Sequence, residues 1–173
     1  MFKALTLIET AVTLAILSLA LFFLSPVVFS LSDQVKVERE AELVRSFFYQ
    51  VQTQARFTKQ SYETYINHHQ ENWCIIALAK TEEKSTACNC FNPQLCGLKG
   101  RYLVYHNQFP SVELRTNKLF PSRFMTVNGS SGNLEAGCLA FYSPSAQRLM
   151  DFDAYGVINV PARNARTLCK SLI

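Results

Sequence analysis

The chain is short of charge. Lys, Arg, Asp and Glu make up 17% of its 173 residues, below the ~25% of an average soluble domain. Glycine and proline are scarce, at six each, which excludes collagen-like and low-complexity chains. A hydrophobic share of 49% with a net charge of +4 excludes a disordered coil. Several chemical signatures are missing as well. The string contains no glycine-rich phosphate loop, no Gly-x-Ser-x-Gly, no Cys-x-x-Cys and no His-Glu-x-x-His, so the usual routes to nucleotide, nucleophilic, redox and zinc-protease chemistry are absent. Histidine is rare too. The cluster His68-His69-x-Glu71-x-x-Cys74 places its two rings side by side in sequence, not on one helix face, and reads as polar loop residues before a strand. Asp151 and Asp153 sit near Tyr155-Gly156 without an identifiable base or nucleophile. No catalytic residue, metal or cofactor is expected, and the chain does not read as an enzyme.

What is present is an apolar N-terminus. Leu5 to Ser25 is a stretch of 21 residues with one charge, Glu9. As a helix at ~1.5 Å per residue it spans roughly 31 Å, the thickness of a bilayer's hydrocarbon core. Lys3 is the one charge before it, which favours a cytoplasmic N-terminus and an exported remainder. A cleaved secretory signal would have Ser18-Leu19-Ala20 as its small-x-small site, but the apolar run continues through Leu21-Phe22-Phe23-Leu24, a poor start for a soluble protein. A plain membrane anchor leaves Glu9 unexplained, because a carboxylate near the start of a span costs about 2–3 kcal/mol and calls for a partner.

Lys3-Ala4-Leu5-Thr6-Leu7-Ile8-Glu9 resembles the processing signal of type IV pilins and type II secretion pseudopilins. In that signal a short basic leader and a small residue precede the cut, a hydrophobic residue follows it, and a Glu stands at the fifth position after it. The resemblance implies cleavage between Ala4 and Leu5 by prepilin peptidase and N-methylation of Leu5. It also implies that Glu9 faces the N-terminal amine of a neighbouring subunit, where two opposite charges in an apolar interior fix register. Ala4 stands where Gly is usual and Leu5 where Phe is usual; both keep size class and polarity. The four-residue leader is short.

Pro26 ends the apolar run and predicts a kink or local melt, since it removes a backbone donor and clashes with the preceding turn. Ser32 or Asp33 can cap a new or continuing helix. Val37, Ala41, Val44, Phe48, Val51 and Ala55 then recur at helical spacing and form one apolar face. Glu38, Arg39, Glu40, Glu42 and Arg45 read as a solvated surface. A helix from about Leu5 to Lys59 follows, roughly 80 Å long. After Ser61 the pattern becomes β: Trp73–Leu78, Arg101–His106, Ser111–Arg115, Phe124–Val127, Cys138–Tyr142 and Gly156–Val160 are strand-like runs separated by Asn, Gly, Pro and Ser, as in an antiparallel sheet. The expected class is α+β, a pilin fold whose long N-terminal helix packs on a C-terminal antiparallel β domain. The divisions are a leader at 1–4, a membrane or filament-core half-helix at 5–31, an amphipathic half-helix at 32–60 and a periplasmic β domain at 61–173.

Cys74, Cys88, Cys90, Cys96, Cys138 and Cys169 read as disulfides of an exported domain. Six cysteines allow 15 connectivities and the sequence does not choose among them. The preferred pair is Cys138 with Cys169, tying the C-terminal tail to a strand, with the other four stapling the 80–100 loop to the strand at Cys74. A zinc site from Cys74, Cys88, Cys90 and Cys96 is disfavoured, because Cys-x-Cys-x5-Cys is not a zinc spacing. Arg163, Arg166 and Lys170 form a basic tail, and with Lys99, Arg101, Arg115, Lys118 and Arg123 raise the question of DNA. The plainer reading is the solvated surface of a mildly basic protein.

Within the pilin-like proteins, Trp73-Cys74-Ile75-Ile76, Tyr102-Leu103-Val104-Tyr105, the segment Phe109–Leu114, the Gly129–Asn133 turn, Phe141-Tyr142-Ser143 and the Gly156 strand are similar to the FimT/GspH group of minor pilins and pseudopilins. Some FimT-type members are implicated in DNA uptake through a Gly-Arg-x-Arg motif. The matching strand here reads Gly156-Val157-Ile158-Asn159, without either Arg. The resemblance implies a minor type IV pilin that starts or caps a pilus. A type II secretion pseudopilin is the alternative, and a periplasmic DNA receptor for transformation is the alternative of another class. The implied partners are prepilin peptidase, other minor and major pilins, the inner-membrane assembly platform and inner-membrane lipid.

Overall fold

The computed structural model describes residues 7–80, 88–96, 101–116, 123–161 and 169. Helix α1 runs over Leu7–Thr58 as 52 residues, about 78 Å of continuous rod. The backbone stays helical through Pro26, so no local melt interrupts it there, and Ser32–Asp33 continue this helix rather than begin another. One proline costs a helix about 3 kcal/mol, and a rod this long has bonded turns on both sides to carry it. The helix ends where Lys59 turns to φ 57, a left-handed residue of the kind that closes helices.

Among the described residues, the first half of α1 is not covered by the rest of the chain. Its most apolar 18-residue window has a mean hydropathy of 2.5 and no buried share, and Leu7, Ile8, Phe22 and Phe29 are each 70% exposed or more. The second half is the spine of the core. Val37, Ala41, Val44, Phe48, Val51 and Ala55 are all at most 2% exposed. The Val and Phe side chains each contribute about 1.5–3 kcal/mol when buried, the two Ala methyls less. Phe48 packs edge-on against Phe152 at 4.8 Å between ring centroids and reaches Phe124 at 6.2 Å.

The head is built from β1 (Tyr62–His69), β2 (Asn72–Ala79), β3 (Tyr102–His106), β4 (Glu113–Thr116), β5 (Arg123–Val127), β6 (Gly137–Ser143), β7 (Ala146–Phe152) and β8 (Ile158–Asn159). Among the described residues they form two four-stranded antiparallel sheets, ordered β3-β2-β1-β5 and β4-β6-β7-β8. Helix α1 packs on the second sheet mainly through β6 and β7. Trp73 of β2 links the sheets: its indole N–H donates to the Val112 carbonyl at 2.8 Å, and its ring lies 6.2 Å from Phe141 of β6.

Several expectations change. One sheet becomes two. His68 and His69, loop-like in sequence, close strand β1, which pairs with β2 from Tyr62↔Ala79 to His69↔Asn72. Tyr62 to Ile66 are buried on both faces, so the strand shows no alternation of polar and apolar residues. Strand β7 was not expected either, because Gln147, Arg148 and Asp151 mask the alternating Ala146, Met150 and Phe152 that face the core. The run at Gly156–Val160 shrinks to two paired residues. The largest change is Glu40, taken as solvated, which is 0% exposed.

Candidate functional site

The exposed apolar rod carries the first candidate group. Glu9 lies in the first turns of the described helix and is exposed. Around it, Leu7, Ile8, Val12, Leu14, Ile16 and Leu17 are more than half exposed. A surface so apolar is stable only in lipid or against other apolar helices. The cut between Ala4 and Leu5 lies outside the described residues.

Where the rod meets the head, Glu40 fastens one to the other. Tyr105 of β3 donates its hydroxyl to Glu40 Oε1 at 2.6 Å. The backbone N–H of Gln108 donates at 3.1 Å and that of Phe109 at 3.0 Å to Oε2. Burial raises the Glu40 carboxyl above its ordinary 4.5, and the three hydrogen bonds pull the other way. Burial, then the bond to Glu40, pushes the Tyr105 hydroxyl up as well. No periodicity in the sequence marks Glu40. It sits beside Ala41 at the edge of the apolar stripe, and only the β3–β4 connection shows what it accepts.

A second set of contacts holds the same region. Ser145, in the β6–β7 turn, donates to Asp33 Oδ2 at 2.8 Å, and Arg148 pairs with Glu38 at 3.0 Å. Next to these anchors, lined by Pro110 after Phe109 and Pro144 before Ser145, opens a groove of about 820 Å³. His68 lines it from the end of β1, Glu71 from the β1–β2 turn, Glu113 and Arg115 from β4, and Tyr142 and Pro144 from β6 and its turn. Arg115 pairs with Glu113 at 3.0 Å and lies over the Tyr142 ring at 4.6 Å. Desolvation lowers the His68 pKa, and the Glu113 charge opposes the shift. Among the described residues Glu71 makes no ion pair.

At the far end of the helix, Gln52 is 5% exposed. It donates through Nε2 to the carbonyls of Gly132 and Gly156, both at 2.9 Å. Gly132 has φ +74, a left-handed backbone that glycine adopts without strain, and a Cβ there would press on the Arg56 guanidinium. Asp153 holds the other turn through the Tyr155 N–H at 2.6 Å, so it is a structural acid.

The structure joins Cys74 to Cys90, Cys88 to Cys96 and Cys138 to Cys169. The first two fold the segment around Cys88–Cys96 over the outer face of the first sheet, where Tyr65, Ile76 and Leu78 make a small second core. Among the described residues no group of three or more His, Cys, Asp and Glu side chains is placed to hold a metal. Arg163, Arg166 and Lys170, the expected DNA contacts, lie outside the described residues.

No family model matches the chain. An uncharacterized protein of Haemophilus influenzae is 24% identical over 170 residues, covering 96% of this chain and 98% of that protein. Among solved structures, the type IV minor pilin FimU of Pseudomonas aeruginosa superposes with a TM-score of 0.51 at 10% identity, covering 77% of this chain and 93% of that chain. The minor pseudopilin EpsH from the Type 2 Secretion System of Vibrio cholerae gives 0.49 at 12% identity, with 75% and 99% covered. The chain therefore has the architecture seen in FimU, one long N-terminal helix packed on antiparallel sheets.

Proposed function

We propose that this chain is a minor subunit of a type IV pilus, of the FimT/GspH group, a non-catalytic structural protein that starts or caps the filament. The observation that carries the reading is the rod itself. About half of α1 is apolar, left uncovered by the head and marked by one carboxylate at Glu9, while the other half is built into a disulfide-tied head. Such a helix has two stable environments, a bilayer and a bundle of like helices. In the mechanism that follows, prepilin peptidase frees Leu5, the helix waits in the inner membrane, and the assembly platform draws it into the filament, where Glu9 meets a neighbour's terminal amine. The fold shared with FimU supports this reading.

The test uses the full chain in a piliated host. The wild type is expected in filaments sheared from the cell surface, and Glu9→Leu is expected to insert in the membrane and fail to enter them. Recovery of Glu9→Leu in sheared filaments at wild-type amount would refute the register role. Absence of the wild type from pili, with loss of protein secretion when its gene is deleted, would move the chain to a type II secretion pseudopilus. A contribution to DNA uptake has only the basic residues Arg163, Arg166 and Lys170 in its favour.

A further inference from the structure

We propose that the groove between the β1–β2 turn, β4 and the β6–β7 turn is a seat for one zwitterionic, amine-bearing phospholipid headgroup. The proposal rests on the membrane placement of the apolar half-helix. The helix then acts as a ruler. Exposed apolar side chains run without a charge from Val12 to Leu31, which sets the lipid boundary near Leu31. The β6–β7 turn is fixed to Asp33 through Ser145, and the β3–β4 connection is fixed to Glu40 through Gln108 and Phe109. Asp33 and Glu40 are seven residues apart, roughly 10 Å along the axis. The groove thus occupies the first ~10 Å above the hydrocarbon, and the headgroup layer is about 5–8 Å deep on each side of a bilayer.

The lining suits that layer and one headgroup class within it. Arg115, laid flat over Tyr142, offers guanidinium donors of the kind that hold phosphate. Glu71, without an ion pair among the described residues, and Glu113, whose Oε2 accepts from Arg115 at 3.0 Å and whose Oε1 is left for a second donor, offer carboxylates for a primary ammonium. Tyr142 supplies a half-buried aromatic wall, of the kind favoured at membrane interfaces. The volume of about 820 Å³ is in the range of small-ligand sites. A phosphoethanolamine headgroup satisfies both charges. A choline headgroup satisfies the phosphate side but its ammonium cannot donate hydrogen bonds to the carboxylates, and a glycerol headgroup leaves them without a cation. The seat would hold the head at one height and rotation over the bilayer while the helix waits in lipid.

The experiment takes the full chain in nanodiscs of equimolar phosphatidylethanolamine, phosphatidylcholine and phosphatidylglycerol, then counts retained lipid by native mass spectrometry after transfer to mild detergent. One phosphatidylethanolamine is expected in preference to the others. The double variant Glu71→Gln/Glu113→Gln and the single variant Arg115→Ala should each lower its occupancy about tenfold, while Glu42→Gln, outside the groove, should not. These side chains are exposed, and thermal unfolding of the same samples checks that the variants fold. Equal retention of all three lipids, or retention unaffected by the groove variants, would overturn the proposal. So would groove variants that spare lipid but lose co-purification with other pilin subunits, which would make the groove a protein contact. A chain that enters no nanodisc at all would refute the membrane reading beneath it, an outcome distinct from entry without preference.

Discussion

Removing the Glu40 carboxylate tests how the rod is joined to the head. Glu40→Ala strips a charged acceptor from the Tyr105 hydroxyl and from the N–H groups of Gln108 and Phe109. Hydrogen bonds to charged groups are each worth ~1.5–3 kcal/mol, and loss of the buried charge returns several kcal/mol of desolvation. The expected net cost is about 2–4 kcal/mol, or roughly 6–12 °C in Tm for a domain of this size. Glu40→Gln keeps the shape and one acceptor, and isolates the charge. Because burial raises the folded-state pKa of Glu40 above 4.5, the native state keeps this proton after the unfolded chain has released it. The group's contribution is therefore complete below about pH 4.5 and is lost as pH rises through the folded-state value. Urea unfolding of residues 32–173, which contain every buried core residue described, from Val37 onward, can be followed by the fluorescence of Trp73, the single tryptophan. Between pH 4 and 8 the stability difference should move in favour of Glu40→Gln as pH rises. A difference that stays constant across that range, or a cost of Glu40→Ala below ~0.5 kcal/mol, would refute the reasoning.

Two further perturbations are expected to have defined outcomes. Gln52→Glu replaces two donors with an acceptor facing the Gly132 and Gly156 carbonyls, and should cost about 3 kcal/mol at neutral pH, partly recovered on acidification below the carboxylate range; equal urea midpoints would contradict the clamp. Replacing each disulfide pair with Ser should cost stability in the order of loop length, with separations of 31, 16 and 8 residues giving about 4, 3 and 2.5 kcal/mol on the chain-entropy model; a largest loss at Cys88–Cys96 would show that strain or residual structure dominates.

The helix was legible in the sequence because its signals repeat. The spacing of Val37, Ala41, Val44, Phe48, Val51 and Ala55 needs no partner to be read, and the six are buried as one face. Strands with clean composition, such as Trp73–Leu78 and Cys138–Tyr142, stand out for the same reason. Strand β1 did not, because burial on both faces removes the alternation that marks a half-exposed strand, and its closing His68-His69 look like loop. Strand β7 was hidden by Arg148, whose partner Glu38 lies 110 residues away in sequence. Glu40 fails the same way: a carboxylate on a helix reads as solvent-facing until the chain 65 to 69 residues later brings three donors to it. The groove has no linear signature, since its carboxylates, Arg115 and Tyr142 come from three separated turns and strands.

The central claim is that the apolar rod is a processed, shared helix and not a signal or a plain anchor. Intact-mass and peptide mass spectrometry of the full chain, isolated from the membrane of a host with prepilin peptidase, tests this at the first residue. The account predicts a mature chain beginning at Leu5 with one added methyl group on its amine. A chain still beginning at Met1, or one beginning at Leu21, would contradict it.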